Sequence, residues 1–170
     1  NEYKNYDKDT LSITIDYGYK DNLDAIEILN KYNIPFTLYV TISTLDTQGY
    51  LSTEDIKSLS CLDNCEIGSH SYNHVRLNTI SNEKIFFELS ESKKIIENMI
   101  GNKISGISYP HGSYNQYVLD ILKTVGYDYA ASSIKGKNTT KTNKYLLKRS
   151  EIIKSDSLST IIKKINGYYD

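Results

Sequence analysis

His70 and His74 stand four residues apart, and Asp16 closes a short apolar run just ahead of Gly18. Two imidazoles and a carboxylate suit a borderline-soft divalent ion such as zinc, and an ion so held activates water for hydrolysis. If the segment coils, residues at this spacing share a face, and both rings reach one ion. Asp16 has two roles open to it: metal ligand, or general base toward the attacking water. The third histidine lies in Pro110-His111-Gly112, a segment that can aim backbone N–H groups at a developing oxyanion because glycine lets the chain approach closely. Plainer readings stand beside these: a turn cap for Asp16 and a tight turn at Pro110. Taken together the residues suggest a metal-dependent hydrolase.

These side chains need elements to carry them. Leu11–Asp16 alternates apolar and polar residues and reads as a strand, as do Phe36–Ile42, Glu66–Gly68, Ile104–Tyr109, Tyr127–Ala131 and Tyr145–Arg149. Helical spacing runs through Asp21–Tyr32, from Ser52 to about Ser60, from the Ser81 cap to Gly101, through Asn115–Val125 and through Leu158–Ile165. Lys135–Lys144 reads as a polar loop. Strands alternating with helices predict a parallel sheet with crossover helices: an α/β fold, a distorted or incomplete (β/α) TIM-like barrel in a single domain. Asp16, His70, His74 and the Pro110 turn each follow a strand, where such folds place their chemistry.

Composition narrows the class. The 170 residues suit one domain, and 20 basic against 21 acidic side chains leave a net charge of −1, which favours neither nucleic acid nor an acidic membrane surface. No apolar run approaches the roughly 18 residues of a membrane span. The chain opens at Asn1 without a leader pattern, as a mature or trimmed form would. Cys61 and Cys65 are read either as a small disulfide loop or as two thiols. Sixteen tyrosines against no tryptophan reflect compositional bias for the most part, with a few left to line a saccharide groove.

Several motifs, in order, resemble the polysaccharide deacetylases, the fourth family of carbohydrate esterases. Thr14-Ile15-Asp16-Tyr17-Gly18-Tyr19 is similar to the family's Thr-Phe-Asp-Asp-Gly-Tyr, and Ile28 to Val40 resembles the helix and strand that follow. Glu66-Ile67-Gly68-Ser69-His70-Ser71-Tyr72-Asn73-His74 resembles the second motif, His-Ser/Thr-x-x-His with its lead-in, and Ser108-Tyr109-Pro110-His111-Gly112 the third. The likeness spans about residues 11–152 of a domain taken as 1–170. It implies a distorted barrel that hydrolyses N-acetyl groups on an N-acetylated polysaccharide or oligosaccharide with zinc or another divalent metal. It further implies Asp16 as base, His70 and His74 as metal ligands, the His111 N–H as oxyanion donor, and an extracellular or cell-envelope setting.

Three positions depart from that pattern. Tyr17 stands where the family has its third metal ligand, an aspartate, and a phenol with a pKa of about 10 replaces a carboxylate poorly. Either Asp16 moves into the ligand role or Asp21 approaches. Ser108 stands where many members carry the arginine that tunes the base, a charge that Arg149 can supply from elsewhere. The late Leu-x-His motif has no counterpart in Arg149-Ser150-Glu151-Ile152, which leaves the acid role to another group or to water. The resemblance therefore carries two functions: a deacetylase with a modified metal site, or a non-catalytic saccharide-binding relative without its metal. A surface or assembly module on the same scaffold is a third.

Overall fold

The computed structural model describes residues 10–168. Five strands, β1 (Ile13–Ile15), β2 (Phe36–Val40), β3 (Cys65–Ser69), β4 (Gly106–Ser108) and β5 (Tyr129–Ala131), form one sheet in chain order, every pairing parallel. The helices are α1 (Asn22–Lys31), α2 (Thr53–Ser60), α3 (Asn82–Ile100), α4 (Gln116–Val125) and α5 (Leu158–Ile165). The sheet curls into a half-barrel, as the alternation of elements predicted.

Local chemistry explains the helix boundaries. Ser52 caps α2 in a reciprocal box with Asp55, and Ser81, Asn115 and Ser157 each accept a backbone N–H of the turn they start. Gly101 and Gly126 end α3 and α4 in the left-handed conformation, at φ 73° and 93°. The core lies between curled sheet and helices: Leu38, Val40, Ile67, Ile107 and Ala130 on the strands meet Ile56, Ile85, Leu89, Ile96, Val118 and Leu122 on α2, α3 and α4.

Part of the tyrosine excess belongs to this core. Tyr39, Tyr109 and Tyr127 are fully buried. Tyr109 Oη donates to the carbonyl of Tyr145 at 2.8 Å, and Tyr127 Oη to that of Leu89 at 3.1 Å, so the polar tips are satisfied. Two glycines make room for rings: a Cβ on Gly68 would lie 2.6 Å from the Tyr39 ring, and one on Gly106 2.4 Å from Tyr129.

The expected strand Tyr145–Arg149 is not formed. Its pairing shrinks to one parallel bridge, Ala131 with Leu147. The Lys144 carbonyl already accepts the Ala130 N–H, but a turn closed by Leu146 N–H on the Asn143 carbonyl interrupts the pairing until Leu147. Beyond Leu147 the chain is drawn off, with Arg149 N–H on the Ile134 carbonyl. The strand that reads Glu66–Gly68 in sequence extends over Cys65–Ser69, and Phe36–Ile42 stops at Val40 before a 3-10 turn, Ile42–Thr44. Cys61 and Cys65 are free thiols, and burial pushes Cys65 up to about 12, which keeps it protonated. Among the described residues no helix is long and apolar enough to cross a membrane.

Candidate functional site

Because all five strands run parallel, their carboxyl ends share one rim. Asp16 follows β1, His70 follows β3, and the Pro110–Gly112 turn follows β4 by way of Tyr109. The sequence-predicted residues therefore meet, and Arg149 joins them from the far end of the chain.

Asp16 is held on both oxygens. Arg149 donates to Oδ1 at 2.8 Å and to Oδ2 at 2.9 Å, and Ser108 Oγ donates to Oδ2 at 3.0 Å. Arg149 also donates to Thr14 Oγ1, to Ser108 Oγ and, through Nε, to the Ser132 carbonyl. Its side chain thus links β1 to the residue after β5 across the open side of the curl. Burial alone would raise the Asp16 pKa, but the Arg149 ion pair, the proximity of His70 and the Ser108 hydrogen bond outweigh it and hold the carboxyl below its ordinary value. Arg149 thus brings a positive charge against Asp16, with the Ser108 hydroxyl bonded to both.

The histidines approach each other through a turn, not the coil that their spacing suggested. Ser71 and His74 lie in the left-handed region at φ 66° and 57°, and the imidazole centroids are 4.8 Å apart. His70 Nδ1 lies 2.8 Å from the Ser108 carbonyl, which can only accept, so Nδ1 carries the hydrogen and Nε2 keeps its lone pair. Burial depresses the pKa of both rings; for His74, with His70 and His111 as further causes, the value falls to about 4. Both imidazoles are neutral near pH 7. The Nε2 atoms of His70 and His74 are buried without a hydrogen-bond partner.

Tyr17 fills the flank of this pair. Its ring centroid lies 5.0 Å from that of His70 and 4.5 Å from that of His74, and its backbone sits at φ 76°. Burial and the Asp16 charge raise the phenol pKa, so it stays protonated and neutral. Tyr19 stacks on Tyr17 at 5.2 Å and on Tyr50 at 4.9 Å, forming a row of rings that leads outward, with Tyr19 40% exposed. Sequence reasoning did not find this row, because Tyr50 reaches Tyr19 only through an isolated antiparallel bridge.

His111 is exposed, with its ring 4.5 Å from that of His74 and its backbone at φ 56°. The turn beneath it is tightly packed: a Cβ on Gly112 would fall 1.7 Å from Ser133 Oγ. Asp21 is the exposed N-cap of α1 and does not complete a ligand set. Among the described residues, no group of three or more His, Cys, Asp or Glu side chains could hold a metal ion. What fits a zinc ion is the pair of neutral, unpartnered nitrogens on His70 and His74; the third protein position is a phenol.

Residues 3–130 match the family described as Polysaccharide deacetylase. Among curated proteins, YxkH of Bacillus subtilis, which carries a provisional polysaccharide-deacetylase name, is 30% identical over 81% of this chain and 49% of its own length. The poly-beta-1,6-N-acetyl-D-glucosamine N-deacetylase of Staphylococcus aureus is 24% identical over 86% of this chain and 55% of its own. The chain thus spans about half the length of these relatives. Among solved structures, the Streptococcus pyogenes deacetylase PplD, bound to acetate, superposes with a TM-score of 0.83 at 22% identity, covering 89% of this chain and 68% of that one. BA3943 of Bacillus anthracis, described as a pseudoenzyme of the fourth carbohydrate esterase family, superposes with a TM-score of 0.58 at 22% identity, covering 70% and 41%. At these identities the two superpositions speak to the fold.

Proposed function

Since the chain belongs to the polysaccharide deacetylase family, we propose that it removes N-acetyl groups from a polymeric amino sugar at the rim that carries Asp16, His70 and His74. Zinc or another divalent metal would be held by the two histidines. One observation carries this reading: two buried imidazole nitrogens, side by side and neutral, with no partner for either. Each unsatisfied nitrogen costs about 1–3 kcal/mol, a cost that a shared ligand removes.

A bound metal would supply Lewis-acid polarisation of the acetamide carbonyl and a lowered pKa for the attacking water. The rest is work for the chain. Asp16, ionised, accepts the proton of that water; Arg149 and Ser108 fix its orientation and, by stabilising the charge, make it a weaker base. The backbone N–H of His111, on a turn that Gly112 packs against Ser133, donates to the oxyanion. With no histidine in Arg149-Ser150-Glu151-Ile152, the departing amine draws its proton from water or from Asp16. A polymer of this kind places the protein outside the cell or in its envelope.

A second reading is favoured by Tyr17, whose ring lies against both imidazoles where a third ligand is needed. In it the chain binds the polymer without a metal, along the Tyr17-Tyr19-Tyr50 row. Elemental analysis after zinc loading and removal of excess separates the two. Close to one equivalent, lost in His70→Ala, with acetate released from N-acetylglucosamine oligomers, supports the deacetylase. Absence of metal together with retained oligosaccharide binding supports the second reading and sinks the first.

A further inference from the structure

Glu88 lies within α3, on no strand or strand-end loop of its own, and is only 3% exposed. Its carboxylate is engaged wholly by the loop between the two histidines. Oε2 accepts the backbone N–H of Tyr72 at 2.9 Å and of Asn73 at 2.8 Å, and Oε1 accepts the Asn73 side-chain amide at 2.8 Å. All three partners are uncharged. A carboxylate buried against neutral donors is a poor choice for folding alone, since an apolar side chain avoids the desolvation.

What the carboxylate does is hold a loop in a shape it resists. Ser71 and His74 both sit at positive φ, which disfavours any residue with a Cβ. The loop is fastened on its other side as well: Ser71 N–H donates to Ser69 Oγ, His74 N–H donates to Ser71 Oγ, and Ser69 Oγ donates to Ser92, one turn beyond Glu88 on α3. One helix face therefore braces the turn at two points, and Glu88 grips the stretch that separates the rings.

We propose that Glu88 is the positioning residue of the histidine pair, setting the separation of the two imidazoles and through it the affinity for a divalent cation. The cation arm rests on the reading of His70 and His74 given above; the positioning arm does not.

The test compares zinc affinity, by calorimetric titration, in the wild type and in Glu88→Gln, Glu88→Asp and Glu88→Leu. Gln can reproduce every bond: its carbonyl accepts both backbone N–H groups, and its amide donates to Asn73 once that amide is flipped. Asp keeps the charge but is a methylene too short. Glu88→Gln is expected within about 3-fold of wild type, and Glu88→Asp and Glu88→Leu about 10-fold or more weaker. Metal-free samples give a second readout, the NMR cross-peak between Tyr17 and His74 ring protons, expected to persist in Glu88→Gln and vanish in the other two. Wild-type affinity and an intact cross-peak in a folded Glu88→Leu would overturn the proposal; should that variant not fold, the same results in Glu88→Asp do so. If the wild type binds no zinc, the metal reading fails, and the cross-peak alone decides the role of Glu88.

Discussion

Asp16 and Arg149, 133 positions apart, meet in a two-pronged ion pair at 2.8 and 2.9 Å, each side chain 22% exposed. The pair has two duties at once. It orients the carboxylate at the rim, and it fastens the edge strand β1 to the segment beyond β5, because the same guanidinium reaches Thr14 and the Ser132 carbonyl.

Arg149→Met should therefore show in stability as well as in chemistry. Leaving a largely buried carboxylate without its partner costs about 3–5 kcal/mol where burial is complete, and about half of that at this exposure. A denaturant midpoint well below wild type, with unchanged m-value, is the expected result. In an active enzyme the acid limb of the rate profile moves to higher pH, since Asp16 no longer has the arginine holding its pKa down.

Tyr17→Asp should raise zinc affinity by about 10-fold or more, as a third protein ligand joins a two-histidine site. Acetate release from N-acetylated oligosaccharides rises with it if the rest of the rim is sound. Unchanged affinity and unchanged turnover would place the metal away from His70 and His74.

Acid should begin to destabilise the metal-free protein at a pH above the range in which Asp16 titrates. The pKa values of His70 and His74 are depressed in the folded state, His74 to about 4, against an ordinary histidine value of about 6.5. As pH falls through 6.5 the unfolded chain takes up protons that the folded chain refuses, so stability declines toward pH 4. Asp16, also depressed, adds its loss only below that, near the carboxylate range. Thermal midpoints from pH 7.5 to 4.5 read the slope, and His74→Ala should flatten it.

Gly112→Ala should displace the Pro110–Gly112 turn. The added methyl would fall 1.7 Å from Ser133 Oγ on a backbone at φ 61°, so either the turn or Ser133 must move, at a cost of about 1–3 kcal/mol. A double variant with Ser133→Gly returns the space but not the backbone preference, and its midpoint should lie between the two.

Much of this architecture is legible in the letters because it is local. Ser52, Ser81 and Asn115 announce helix starts by the hydrogen bonds their own side chains make, and Gly101 and Gly126 announce the ends. Asp16 and His70 stand out because each directly follows a strand, and His74 because it stands four residues beyond His70. What stays hidden depends on distant chain. Glu88 looks like any acidic residue on an amphipathic helix until the loop folds back onto it. Tyr145–Arg149 has the alternation of a strand, yet the last of those residues is drawn across the curl toward β1. The histidine spacing suggests a coil, whereas serine hydroxyls and the Glu88 carboxylate impose a turn.

Position 17 holds a record of its own. Its φ of 76° belongs to a region in which aspartate and asparagine are several-fold enriched over bulky side chains. The backbone there has a form better suited to a carboxylate than to the ring it bears. An aspartate suits that main-chain conformation as it stands, and tyrosine and aspartate codons differ by a single base. In evolutionary terms the two states of this site are neighbours, with the relief of backbone strain pointing toward the carboxylate.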